Sequence, residues 1–317
     1  MIAVSTSANA AKAVLARHGK TFALASKFMG DDTAARAAKL YAFCRHLDDL
    51  VDERVSVQAA RDALDRTRHQ LVTGNGSDPV VDDFLCLARD ALMDPTLGVI
   101  LVDGLESDLG HVAIESPEEL IRYAYRVAGV VGLMMCAVMN VRDNRALPFA
   151  IDLGIAMQFT NIARDIREDA AMGRRYIPGE WIQNLGACDL AVPTEATEAP
   201  VRRALEQLLN LADRYYSSAA RGLHYIPTRS RMAIRIAGSV YREIGQLIRE
   251  RDFSVNETRT VVGPARKAVV SARALLIDPL RPHQPDACNT ATEQLHAALR
   301  GLPGVRSQDG ESQECLA

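Results

Sequence analysis

Aromatic residues are scarce in this chain of 317 residues: one Trp, eight Tyr and seven Phe make up 5% of it. A core with so few rings must be filled by Ala, Leu, Val and Ile, which suits closely packed helices. No basic domain or tail stands out and the formal net charge is −3, so the electrostatic footprint of a nucleic-acid binder is missing and no nucleic-acid partner is expected. The six cysteines (Cys44, Cys86, Cys136, Cys188, Cys288 and Cys315) are scattered, with no CxxC pair. That argues against a disulfide framework or a zinc site and for reduced thiols in a cytoplasmic protein. The seven histidines show neither HxxxH nor HExxH spacing, and there is no Walker loop or serine nucleophile elbow. Charges interrupt the apolar runs before the ~20 residues of a bilayer span. Met1 to Ala16 lacks the basic start and apolar core of a secretory signal, and Asp278 to Ala317 is too polar for an anchor.

What the chain does have is hydrophobic residues, 48% of the total, and helical periodicity almost everywhere. Period-2 alternation is rare, so the fold class is all-α. Ser116-Pro117-Glu118-Glu119 combines an N-cap Ser, Pro at the first helical position and Glu three residues after the cap. The apolar positions that follow, up to Val138, predict one long buried helix. Gly129 and Gly132 inside it mark either close helix–helix packing or room for a ligand. Asp94-Pro95 and Pro148 read as further helix starts. Gly173 to Pro200 reads as a loop with a short helical piece at Glu180–Asn184, and helices resume over Val201–Gly222 and Arg231–Arg251. There is no internal repeat and no linker before Asp278. The expected division is one all-α domain over 1–277 and a polar, flexible tail over 278–317.

Two acidic clusters stand out, Asp48-Asp49-Leu50-Val51-Asp52 and Asp165-Ile166-Arg167-Glu168-Asp169. Asp48/Asp52 and Asp165/Asp169 are each four apart, so each pair shares one helical face, where like charges repel. One explanation is a pair of solvated charged faces. The other is a two-sided clamp for Mg²⁺ and a diphosphate, since Mg²⁺ takes one or two carboxylates plus phosphate oxygens and water. The neighbours favour the clamp. Gln158, Asn161, Asp165 and Asp169 form one stripe of amides and carboxylates in a helix rich in Ala, Ile and Phe, and Arg45 and Arg164 suit phosphate oxygens.

The stretches Tyr41-Ala42-Phe43-Cys44-Arg45-His46-Leu47-Asp48-Asp49-Leu50-Val51-Asp52, Tyr123-Ala124-Tyr125-Arg126-Val127-Ala128-Gly129 and Gln158-Phe159-Thr160-Asn161-Ile162-Ala163-Arg164-Asp165, running on to Gly173-Arg174-Arg175-Tyr176, carry a resemblance. In order and separation they resemble the squalene/phytoene synthase family of head-to-head prenyl transferases, and within it the bacterial phytoene-forming branch, from about Leu15 to about Leu276. The resemblance implies an isoprenoid-synthase-type helical bundle around a central apolar cavity. It implies condensation of two geranylgeranyl diphosphates, through the cyclopropyl intermediate prephytoene diphosphate, to 15-cis-phytoene, the first committed step of carotenoid biosynthesis. Asp48, Asp52, Asp165 and Asp169 match the family's catalytic, metal-binding carboxylates, with Asn161 and Gln158 lining the second metal site. Arg45 and Arg164 match diphosphate contacts, and Asp49 is a supporting member of the first motif. His18, Lys20, Thr21 and Phe22 match a pocket-lining segment, in which Gly19 stands where relatives often carry Ser. Tyr123, Arg174, Tyr176, Tyr241 and Arg259 match further pocket or phosphate positions, while Met172 replaces a residue that is often basic.

The implied cofactor is Mg²⁺, with Mn²⁺ as its substitute, and no NADPH. The implied partners are geranylgeranyl diphosphate, a transient membrane surface and downstream carotenoid enzymes, and the expected location is cytoplasmic, peripheral on the cytoplasmic membrane. The alternatives are a squalene or dehydrosqualene synthase using a C15 donor and, more remotely, a non-catalytic assembly or lipid-binding relative.

Overall fold

The computed structural model describes residues 2–52, 56–183, 185–254, 259–276 and 293–305, with the side chains of residues 2–7 left aside. Thirteen α-helices carry nearly all of it. They are α1 (Ile2–His18), α2 (Lys20–Ser26), α3 (Asp31–Asp52), α4 (Val57–Thr73), α5 (Pro79–Ala91), α6 (Thr96–Glu106), α7 (Pro117–Ala124), α8 (Val130–Val138), α9 (Leu147–Ala171), α10 (Ala187–Ala191), α11 (Glu195–Gly222), α12 (Thr228–Glu250) and α13 (Pro264–Leu276). Among the described residues the one sheet is a short parallel bridge of β1 (Val112–Ala113) and β2 (Arg174–Arg175). The all-α reading holds.

The centre is α9, which packs against α8, α10, α11 and α12. The few aromatics are placed where helices meet. Phe43 of α3 stacks on Phe84 of α5 with ring centroids 3.9 Å apart, and Phe159 of α9 meets Tyr215 of α11 edge-on at 5.6 Å. All four rings are fully buried, and each such side chain contributes about 1.5–3 kcal/mol relative to exposure. Between α8 and α9, a Cβ on Gly132 would lie 2.2 Å from the Ala150 carbonyl oxygen, and one on Gly154 would lie 2.2 Å from that of Ala128. Close helix contact therefore fixes Gly132, which also faces the cavity described below.

Several expectations need correction. The helix expected to run unbroken from Ser116 to Val138 contains a π-helical turn, Tyr125–Gly129, between α7 and α8. Its 3.6-residue periodicity does not reveal the extra residue in that turn. Ser116 caps α7 by accepting the Glu119 N–H at 3.2 Å, but the Glu119 carboxylate accepts the Glu115 N–H rather than that of Ser116. Helix α11 starts at Glu195, six residues before the expected Val201, and keeps Pro200 inside its second turn. The piece expected at Glu180–Asn184 is a 3₁₀ turn, Gly179–Trp181, and Asn184 lies outside the described residues. Pro117–Val138 and Asn144–Ala171 are long and apolar enough to cross a membrane by length and composition, against the expectation that charges break such runs. In the fold they are core helices, with 56% and 61% of their most apolar windows buried.

The expected flexible tail also departs from the structure over 293–305, where Leu295, His296 and Leu299 are buried against the bundle. Tyr215 donates to the Leu295 carbonyl and Tyr125 to that of Pro303, both at 2.8 Å. His296 Nε2 sits 2.6 Å from the fully buried Asp152 carboxylate. Three leucines at helical spacing (Leu295, Leu299, Leu302) drive the docking, in a stretch too short to show a period amid Pro and Gly. Residues 278–292 and 306–317 lie outside the described residues.

Candidate active site

A cavity of about 780 Å³ opens between α2, α3, α8, α9 and α12, within the range of sites that bury a small-molecule ligand. Helix α3 presents Tyr41, Arg45, Asp48 and Asp52 to it, and α9 presents Gln158, Asn161, Asp165 and Asp169, each set at spacings of three or four. His18 ends α1, and Lys20, Thr21 and Phe22 begin α2. Tyr123, Arg164, Arg174, Tyr176, Tyr241 and Arg259 complete the polar part. Of the residues assigned to the site from the sequence, only Asp49 is absent from the lining. It turns aside and holds the Arg45 guanidinium in an i,i+4 ion pair, which aims Arg45 rather than meeting a ligand. His46 points toward Asp78, 3.5 Å away, and has no part in the site.

Farther along the same face of α9 the lining turns apolar, through Leu153, Gly154, Ala150 and Phe149, and Val127, Val131, Met135 and Met139 face it from the neighbouring helix. The cavity therefore has a charged mouth and a greasy interior.

The arginines do not stand where phosphate would be expected. Arg164 and Arg259 both bond the Asp165 carboxylate, each through Nε at 2.7 Å, and Arg174 bonds Asp52 at 3.1 Å through both terminal nitrogens. In this state each guanidinium covers a carboxylate expected to face metal. Among the described residues, no three His, Cys, Asp or Glu side chains converge closely enough to enclose a metal ion. The assignment of Asp48, Asp52, Asn161, Asp165 and Asp169 to metal thus corresponds to residues gathered in one cavity, not to a finished cage.

Their chemistry nevertheless fits a divalent cation that arrives with a substrate phosphate, because such an ion needs few protein ligands. Both acidic pairs sit at or near the C-terminal ends of helices that carry no basic residue in the last turn, where the helix dipole is already negative. Burial, and then the charges of Asp52 and Asp49 against the counteracting Arg45, push the Asp48 carboxyl up to about 7. Burial and the adjacent Asp165 push Asp169 up to about 7. Burial also acts on Asp165, but Arg164 and Arg259 outweigh it and hold that carboxyl below its ordinary range. The Asn161 side-chain oxygen is buried with no hydrogen-bond partner, an unmet acceptor one turn from Asp165. Hard oxygen donors with uncompensated charge are what Mg²⁺ recognises.

One site residue escapes sequence reading. Asp108, in the turn after α6, lines the cavity, is 6% exposed, and accepts hydrogen bonds from Tyr176 at 2.8 Å and Tyr123 at 2.9 Å, one on each oxygen. The two tyrosine rings stack with centroids 4.9 Å apart. Burial raises the Asp108 carboxyl to about 6 against the effect of the two hydroxyls. The only hint in the sequence is indirect: two apolar-flanked tyrosines whose hydroxyls need a partner.

The family model for squalene/phytoene synthase matches residues 15–272. The chain belongs to the squalene/phytoene synthase family. It is 39% identical over 243 residues to a phytoene synthase of Pseudescherichia vulneris, an alignment covering 73% of this chain and 79% of the relative. It is 35% identical over 268 residues to a 15-cis-phytoene synthase of Enterobacter agglomerans, covering 80% and 90%. Among solved structures of the family, a dehydrosqualene synthase in complex with ligand superposes with a TM-score of 0.77 at 26% identity, over 86% of this chain and 96% of that one.

Proposed function

We propose that the protein condenses two geranylgeranyl diphosphates head to head to give 15-cis-phytoene. The observation that carries this reading is the polarity of the cavity: carboxylates, amides and arginines at the mouth, and an apolar bore along the same helix. The identity to phytoene synthases over most of the chain supports it.

In this reading Asp48, Asp52, Asn161, Asp165 and Asp169 would hold Mg²⁺, or Mn²⁺ in its place. When bound, the ion offsets the negative charge of the departing diphosphate. Arg45, Arg164, Arg174 and Arg259 line the mouth and would bind diphosphate oxygens. The Val, Leu, Met and Ala walls exclude water from the allylic cation left behind. Tyr123 and Tyr176 commit their O–H protons to Asp108. That fixes the two phenol rings in the cavity wall, where an electron-rich aromatic face stabilises a nearby cation.

A hydrocarbon product leaves into lipid more readily than into water, which argues for a peripheral position on the cytoplasmic membrane and for hand-over to downstream carotenoid enzymes. Helix α13 suits membrane contact, with Val269 and Leu276 exposed beside Lys267 and Arg273 and no acidic residue. Co-flotation with anionic liposomes tests this; a protein that stays at the bottom of the gradient with every lipid composition contradicts it.

The decisive test of the activity is incubation with geranylgeranyl diphosphate and Mg²⁺ without NADPH, with farnesyl diphosphate in parallel. A C40 hydrocarbon from the C20 donor is expected. Product from the C15 donor alone would instead assign the chain to dehydrosqualene or squalene formation, and no product from either would assign it a non-catalytic role.

A further inference from the structure

The far end of the cavity is closed in a way the site chemistry does not use. Sixteen residues of α9 separate Asp165 from Phe149, about 24 Å of helix. A fully extended C20 tail, fifteen carbon–carbon bonds of about 1.5 Å in zigzag, spans about 19 Å, so its end reaches the neighbourhood of Phe149.

Phe149 is held rigidly there. A Cβ on Gly222, at the end of α11, would lie 2.3 Å from the Phe149 Cβ, so the helix ends meet only because residue 222 has no side chain. The Phe149 ring stacks on Tyr225 with centroids 6.1 Å apart and planes 16° from parallel, and the Arg221 guanidinium lies 5.5 Å from its centroid. Behind Tyr225 comes Arg145, 5.4 Å from that ring, exposed and paired to Asp143. One aromatic layer therefore separates the apolar bore from a charged exterior. Ala146, Ala219, Gly222, Leu223 and Ile226 line the cavity with it, and among them the Phe149 ring is the largest side chain.

We propose that Phe149 sets the longest prenyl tail the cavity accepts, with Gly222 fixing where its ring stands. The inference rests on the prenyl-diphosphate reading above. Cutting Phe149 back to Ala removes a six-carbon ring, close in size to one five-carbon isoprene unit, and a gap of that size is filled readily by an apolar group.

The test offers the enzyme an equimolar mixture of C20 geranylgeranyl and C25 geranylfarnesyl diphosphates with Mg²⁺, and reads product length by mass spectrometry. The wild-type protein is expected to yield C40 alone. Phe149→Ala is expected to raise the C45-to-C40 ratio at least tenfold, and Phe149→Leu by a smaller factor. In a mixture of C15 and C20 donors, Gly222→Ala, whose Cβ would lie 2.3 Å from the Phe149 Cβ and so force the ring to move, is expected to change the partition between the two chain lengths at least tenfold. If Phe149→Ala gives no product at all, the Phe149→Leu ratio decides. Partition equal to wild type in the Phe149 variants and in Gly222→Ala overturns the role of Phe149. A wild-type protein that makes no C40 from the C20 donor overturns instead the reading on which the inference stands.

Discussion

The two acidic faces share a spacing and a cavity but not a supply of positive charge. On α9, Asp165 is 18% exposed and gripped by two guanidinium groups, Arg164 from its own helix and Arg259 from beyond α12. On α3, Asp52 is 46% exposed and bonded to one, Arg174, which stands in β2 just past the end of α9. The second carboxylate of each pair, Asp48 or Asp169, carries the cost of burial with no hydrogen-bonded arginine and rises to about 7. Each face therefore combines one compensated and one uncompensated carboxylate. The pairing of Asp165 is therefore redundant and that of Asp52 is not, while Arg45 acts on Asp48 through its charge.

The largest effect is expected from Asp48→Asn and Asp165→Asn, each lowering kcat by about 10²–10³, the scale of losing a group aimed at transition-state charge, with circular dichroism unchanged. Stripping one arginine from each face should separate them. Arg174→Ala leaves Asp52 bare and is expected to cost about 10²-fold in kcat/KM, whereas Arg259→Ala leaves Arg164 in place and costs about 10-fold. Equal losses would mean that the redundancy is not used. Asp108 feels both faces, being near Asp52 on one side and Asp169 on the other. Asp108→Asn keeps one acceptor for two hydroxyls and is expected to lower kcat by about 10-fold with little change in KM.

The smallest effect concerns stability and pH. Unfolded, Asp169 titrates near 3.8; folded, it holds its proton up to about 7. A raised carboxyl stabilises the fold while protonated, so this contribution is complete below 3.8 and is lost as the pH climbs through about 7. The metal-free protein is expected to lose a few degrees of Tm over that window through Asp169. Asp169→Asn flattens the decline, and Mg²⁺ with inorganic pyrophosphate restores Tm at the alkaline end in the wild-type protein only. A variant whose Tm falls as steeply as wild type would refute the assignment.

Most of the mouth was legible in the sequence because its chemistry rides on two long helices. At spacings of three and four, Gln158, Asn161, Asp165 and Asp169 must share a face, and nothing tertiary is needed to see it. What stayed hidden depends on contacts between elements. Asp108 sits in an ordinary turn and acquires meaning only when Tyr123 and Tyr176 converge on it. The arginines were legible as phosphate ligands but not as carboxylate partners, since Arg259 is 94 residues from Asp165. The π-turn at Tyr125–Gly129, the early start of α11 and the docking of 293–305 were lost for a related reason: local pattern does not register an extra residue per turn, a Pro tolerated inside a helix, or two buried leucines in a polar stretch.

In the proposed reaction the α3 and α9 faces act on one diphosphate as a unit. A double-mutant cycle on turnover of geranylgeranyl diphosphate tests it most directly, with Asp48→Asn, Asp165→Asn and the pair together. If the faces form one assembly, either substitution disables it and the double variant is no slower than the worse single one, within a factor of about three. Losses that multiply, with the double variant slower by the product of the two, would show two independent sites and contradict the account.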